Sequence, residues 1–180
     1  MSWLGVGMAL VNGLLTAIIA SILLPFLESI FDITTNFKLL ELSNMNHPAL
    51  KELIFNAPGT YQHSIVVGNL AESGASEIGA NQLLARVSSY YHDIGKAEEP
   101  LYYVENQPIN GPNIHDSLDP YESARIIISH LEKGVKKAEN YRLGRLIKDI
   151  ILQHHGTRLV KFFFDKAQQA TEQKDGYADI

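Results

Sequence analysis

Histidine and carboxylate are the chemical resources of this 180-residue chain, which has seven histidines and no cysteine. The stretch "SSYYHDIGKAEEP" sets His92 directly before Asp93, with Lys96 three residues beyond that carboxylate. His63 precedes this pair along the chain, and His130 and the doublet His154-His155 follow it. Taken singly, each has a plain explanation. A lone His63 or His130 is more often a satisfied, half-buried histidine than a ligand, and a His-His before a glycine is usually a polar helix end. Together they form four separated motifs, each within or at the end of a different expected helix and none in a low-complexity tract. Rigid helices carrying such residues can fix a metal site. Imidazole and carboxylate without thiolate suit Fe, Mn, Co, Ni or Zn, and disfavour copper(I) and iron–sulfur clusters. A second His-Asp pair, His115-Asp116 in "NIHDSLDP", lies in a Pro/Asn-rich stretch and reads as loop structure or a substrate contact rather than a ligand pair. His47, before Pro48, reads as a turn or cap residue.

Helices must position these groups. Asn81 is an expected N-cap for "QLLARVSSYYHDIG", with Gly95 as its stop. Pro58-Gly59 opens a helical run to Ile78, and residues 97–118, rich in Pro, Asn and Gly, read as an ordered loop. Asp119-Pro120-Tyr121-Glu122 supplies an N-cap, a proline at the first helical position and an early glutamate, a capping-box variant. Two further helices follow in "RLGRLIKDIILQHHG" and "TRLVKFFFDKAQQATEQ". No segment alternates like a strand, so the expected fold class is all-α.

The N-terminal segment differs from the rest. No charge occurs from Met1 to Leu27, which exceeds the roughly 20 apolar residues needed to cross a bilayer. It lacks the basic start and short apolar run of a signal peptide. We expect a transmembrane helix over 1–31, a connector over 32–59 leading into a helix near Pro48, and a catalytic domain over 60–180. Lys and Arg begin only at Lys38, which favours a cytoplasmic position for that domain at the cell membrane. The net charge of −5 argues against a nucleic-acid polymer as partner.

The order of these motifs resembles the HD-domain phosphohydrolase superfamily, of which "HDIGK" is a specific signature. "APGTYQHSIVVGNLAE", "YYHDIGK", "IIISH" and "ILQHHGT" further resemble the cytoplasmic domain of the seven-transmembrane-receptor HD family, whose members include bacterial cyclic di-AMP phosphodiesterases. The resemblance covers about Asn12 to Ala167 and implies an HD-domain helical bundle with a binuclear site. It implies that one ion takes His63, His92 and Asp93, and the other Asp93, His130, His154 and His155. Asp93 would bridge the two ions, Mn or Fe being expected, and Lys96 would meet a substrate phosphate. The family's site is completed by an aspartate well downstream of the His-His pair. Asp165 and Asp175 lie too early to match it, so the chain is expected to be a fragment of a larger membrane protein with a C-terminally incomplete HD domain, or else a short natural form. "DGYADI" carries Gly176-Tyr177 but lacks the proline of the related HD-GYP family.

The implied activity is hydrolysis of a cyclic dinucleotide, cyclic di-AMP by resemblance, to a linear product. Two divalent cations would neutralise the anionic diester and activate water, which lets an acidic protein take an anionic substrate. Two alternatives stay open: a catalytically impaired nucleotide-binding signalling module, and a hydrolase of mononucleotides. Tyr102, Tyr103 and Asn106 are candidates either to contact a base or to pack the loop onto the bundle. The expected partners are the substrate, the membrane and a second copy of the chain.

Overall fold

The computed structural model describes residues 2–31 and 33–175, and among these the chain forms eight α-helices joined by turns, with no strand. It divides into two compact units, 1–35 and 36–180.

The first unit is helix α1, Trp3–Phe31. Its stretch Trp3–Glu28 is long and apolar enough to cross a membrane. The hydroxyls of Thr16 and Ser21 donate to the carbonyls four residues earlier, at 2.8 and 2.7 Å. These polar side chains are therefore satisfied within the helix, as a hydrocarbon environment demands.

The second unit begins at Asn36, inside the stretch expected as a connector. Helices α2 (Asn36–Leu42) and α3 (Pro48–Asn56) occupy it, and Leu39, Leu42, Leu50 and Leu53 are buried. Leucines three residues apart give each short helix a narrow apolar stripe that needs a partner. The partners of Leu39, Leu42 and Leu50 come from α5 (Gln82–Tyr91) and α7 (Arg145–Gln153), through Val87, Tyr90, Tyr91, Ile147 and Ile151, while Leu53 packs with Ala57 and Ala97. The Tyr91 hydroxyl also donates to the Leu42 carbonyl at 2.8 Å. His47 caps α3 by accepting the Ala49 N–H, as expected of a cap residue.

Helix α4 (Pro58–Glu77) packs along α5, and α6 (Pro120–Asn140) packs on α7 and on the turn that follows α5. Asn81 caps α5 through the Leu84 N–H at 2.9 Å, and Asp119 caps α6 through the Tyr121 N–H at 2.8 Å. Gly95 is not the end of α5, which stops at Tyr91. It sits in a following 3-10 turn, Ile94–Glu98, pressed onto α6. A Cβ on Gly95 would stand 2.0 Å from the His130 carbonyl oxygen and 2.5 Å from the Gly134 nitrogen. Glycine is required here for close backbone approach, not for helix termination. Residues 97–118 form an ordered succession of short 3-10 turns. Helix α8 (Lys161–Asp175) rests on α6; Gly176-Tyr177 lies outside the described residues.

A polar junction ties α3 to α6. Lys137, buried, reaches Glu52 Oε1 at 2.5 Å, and the Tyr141 hydroxyl donates to Glu52 Oε2 at 2.7 Å. Burial disfavours the Glu52 carboxylate, but the hydrogen bonds from Lys137 and Tyr141 and the lysine charge hold its pKa below the ordinary value of 4.5. Its stabilising contribution is therefore complete above the unfolded pKa and fades as pH falls below about 4.5 through the folded one. Glu52→Gln is expected to cost about 1–3 kcal/mol at pH 7, because it leaves a buried ammonium without its carboxylate. The difference from the parent should shrink in acid. Chemical denaturation at pH 7 and pH 4 checks this; equal losses at both would refute it.

Candidate metal centre

Each candidate ligand sits where a helix or its terminus holds it. His63 lies in the second turn of α4, His92 caps the C-terminus of α5 with Asp93 next, and His130 projects from α6. His154 caps the C-terminus of α7 and His155 follows. The fold brings all of them together. Asp93, His130, His154 and His155 offer ligand atoms within 4.8 Å of one another, and so do His63, His92 and Asp93. Asp93 belongs to both groups. Asp165, on α8, belongs to neither.

One local device recurs at three of the histidines. His92 Nδ1 lies 2.7 Å from the Ser89 carbonyl and His154 Nδ1 lies 2.7 Å from that of Ile151, while His130 Nδ1 meets the Ile127 carbonyl. In each case the acceptor is three residues earlier, a carbonyl within reach near a helix end or along a helix turn. An Nδ1–H donated to the backbone fixes the ring and leaves the Nε2 lone pair for another partner, as metal-ligating histidines require.

The Nε2 atoms then face one carboxylate. His92 Nε2 lies 3.1 Å from Asp93 Oδ2, and His130 and His154 Nε2 lie 3.3 and 3.5 Å from Asp93 Oδ1. Asp93 Oδ1, His130 Nε2 and His154 Nε2 are buried and have no hydrogen-bond partner. Three acceptors converging without a donor are unfavourable unless a cation lies among them. Two atoms each about 2.1 Å from a common ion stand roughly 3.0–3.4 Å apart at ordinary coordination angles. The donor set and its spacing thus fit a divalent metal.

Electrostatics agrees with that fit at Asp93, His130 and His155. Burial disfavours the Asp93 carboxylate, but the neighbouring His154 and His92 imidazoles and the Lys96 charge hold it far below the usual range. Burial pushes His130 down to about 4, so its imidazole is neutral at pH 7, the state a ligand needs. His155 is lowered as well, by burial and by His154. For His92, burial opposes protonation, but the bond to Asp93 and its charge outweigh it and raise the pKa.

Lys96 lies against the same carboxylate, with Nζ 2.8 Å from Asp93 Oδ2 and 2.9 Å from Glu105 Oε1. Glu105, and Thr60 behind it, are polar residues at the site that sequence reasoning missed. Thr60 Oγ1 donates to Glu105 Oε1 at 2.9 Å across 45 positions of sequence, and no local pattern announces such a pair. Two of the loop residues considered as base contacts, Tyr103 and Asn106, are engaged within the protein. Tyr103 is buried, edge-on to His130 with ring centroids 5.9 Å apart and 5.0 Å from Lys96 Nζ. Asn106 binds Thr60 through both amide atoms. His115 is buried against Tyr102 and Phe163, its Nε2 2.8 Å from the Tyr102 carbonyl, so the second His-Asp pair is loop structure.

With this geometry in place, the sequence profile described as the HD domain matches residues 60–178. The chain belongs to the HD-domain family. The chain is 46% identical over 166 residues to the cyclic-di-AMP phosphodiesterase PgpH of Bacillus subtilis (strain 168), an alignment that covers 92% of this chain and 23% of that protein. The chain therefore spans about a quarter of that relative's length. The crystal structure of the L. monocytogenes phosphodiesterase PgpH HD domain superposes on 68% of this chain and 59% of that one, with a TM-score of 0.66 and 52% identity. The same L. monocytogenes domain in complex with cyclic-di-AMP superposes on 71% of this chain and 59% of that one, with a TM-score of 0.67 and 51% identity.

Proposed function

We propose that this HD domain is a metal-dependent phosphodiesterase that hydrolyses cyclic di-AMP, opening one 3′–5′ linkage to give a linear dinucleotide. The observation that carries this reading is the convergence of Asp93 Oδ1, His130 Nε2 and His154 Nε2, buried and without partners. The names of the relatives support the substrate: one is a cyclic-di-AMP phosphodiesterase, and another is a domain crystallised with cyclic-di-AMP. In this reading His63, His92 and Asp93 hold one ion, and Asp93, His130, His154 and His155 hold the other, with Mn or Fe as the metal. Bound there, two divalent ions would neutralise charge on the diester and lower the pKa of water. The protein's own part is orientation. Neutral imidazoles locked by backbone carbonyls hold cations without cancelling their charge, and Asp93 sets the spacing between the two ligand groups. Lys96 offers a point charge to a non-bridging phosphate oxygen. Helix α1 would span the cell membrane, with the HD domain on the cytoplasmic side, because Lys and Arg begin only beyond that helix.

The test is a substrate panel on the full chain in detergent, loaded with Mn²⁺ or Fe²⁺: cyclic di-AMP, cyclic di-GMP, ATP and AMP. Conversion of cyclic di-AMP to its linear form, abolished by chelation, is the expected result. Turnover of the mononucleotides alone would make the chain a mononucleotide hydrolase. Cyclic di-AMP binding without turnover, in metal-loaded protein, would make it a nucleotide-binding signalling module.

A further inference from the structure

A continuous polar chain runs behind Lys96 and ends in the helix that carries His63. Lys96 Nζ is shared between Asp93 Oδ2 and Glu105 Oε1, at 2.8 and 2.9 Å. Glu105 Oε1 also accepts from Thr60 Oγ1 at 2.9 Å. Thr60, fully buried, lies one turn before His63 on α4. Its backbone N–H donates to Asn106 Oδ1 at 3.1 Å, and its hydroxyl accepts from Asn106 Nδ2 at 2.8 Å. The contact is too close for any side chain at Gly59, where a Cβ would stand 1.8 Å from the Glu105 carbonyl oxygen. The start of α4 is thus fitted directly onto the Val104–Asn106 turn.

We propose that Glu105 is a positioning residue for substrate phosphate: it holds the Lys96 ammonium at the metal-facing edge of the site, while Thr60, itself held by Asn106, holds Glu105. This rests on the phosphodiesterase reading above and assigns the residues behind its phosphate contact. A lysine carries four rotatable bonds, and its ammonium is a strongly hydrated point charge that would otherwise spread over many positions. Two carboxylates set about it restrict it to one. A single-carboxylate partner would leave the ammonium drawn wholly onto Asp93, competing with that residue's other contacts. Glu105 instead shares the ammonium and draws it toward the loop. The tie from Glu105 to Thr60 also couples the lysine to the helix bearing His63, so one polar chain sets both against Asp93.

The variants Glu105→Gln, Lys96→Ala and the double replacement, in metal-loaded full chain, test this on cyclic di-AMP. Glutamine keeps the shape and can still accept from Thr60, so a merely structural role would leave kinetics near the parent. The expected result is unchanged metal content and unfolding midpoint for Glu105→Gln, with KM raised roughly tenfold, the scale of a lost hydrogen bond to a charged group. The double variant should then be no worse than Lys96→Ala, since Glu105 acts through Lys96. Multiplicative losses in the double variant, or parent-like KM in Glu105→Gln, would overturn the proposal while leaving the phosphodiesterase reading intact. A parent that neither binds nor cleaves cyclic di-AMP would sink that reading, and this inference with it. Should Glu105→Gln lose metal or fold poorly, Thr60→Val provides the second arm: it removes the hydroxyl that ties Glu105 and Asn106 to α4, leaves both carboxylates beside Lys96 in place, and is expected to raise KM with metal retained. No rise in KM there overturns the proposal.

Discussion

Replacing Asp93 with alanine is expected to cut bound metal from about two ions per chain to less than one and to lower hydrolysis by roughly a thousandfold or more, since a two-ion site contributes several kcal/mol to the barrier. Asp93 is the one residue common to both ligand groups. Its two oxygens are divided between them: Oδ2 faces His92 and Lys96, and Oδ1 faces His130 and His154. Removing it takes a ligand from each group and leaves His92, Lys96, His130 and His154 without the carboxylate they face. Metal analysis and turnover on the same preparation check the result, with Asp93→Asn as a variant that preserves volume. Two ions retained in Asp93→Ala would disprove the shared-carboxylate arrangement. Loss of one ion with the other kept at full affinity would show that Asp93 serves a single group.

Gly95→Ala is expected to destabilise the domain by about 3 kcal/mol or more, the upper range for overpacking, and to reduce metal content together with stability. The added methyl would meet backbone atoms, the His130 carbonyl oxygen at 2.0 Å and the Gly134 nitrogen at 2.5 Å, which no rotamer change can move aside. The 3-10 turn must then lift away from α6. That motion separates Asp93 from His130, whose ligand atoms belong to one group. Denaturant unfolding and metal analysis read the two effects. A variant as stable as the parent, with full metal, would show that the turn and α6 can part without cost. Gly134→Ala is a useful companion, since its Cβ would meet only the Ile151 methyl, at 2.8 Å, among side-chain atoms. It should cost less, because a side chain can adjust where a backbone cannot.

Much of the fold was legible because the rules that set it are local. Asn81 and Asp119 cap their helices as their residue types predict, since a cap needs only a side chain and an N–H two or three residues on. The uncharged run to Leu27 reads directly as one long apolar helix. Short helix α2 was not legible. Three leucines over seven residues, two of them adjacent, are too few to establish a period, and only burial of Leu39 and Leu42 against α5 makes the segment helical core. Gly95 was misjudged for a related reason. A glycine after a helical run has the same local signature whether it ends a helix or admits a neighbouring backbone.

The same division holds at the site. The sequence by itself determined that histidines and an aspartate lie on separate helical elements, and that no thiolate competes with them for metal. The sequence set His92-Asp93 apart from His115-Asp116, the same dipeptide, by their neighbours, and the tertiary structure gives the two pairs different surroundings. The first pair stands among His63, His130, His154 and His155, and the second has its imidazole against a tyrosine carbonyl and two aromatic rings. Glu105 and Thr60 carry no signal until the loop folds onto α4. Capping and periodicity act over three or four residues, so a sequence displays them. Convergence of ligands depends on how packed helices cross, and that is set by the sum of side-chain contacts between elements far apart along the chain.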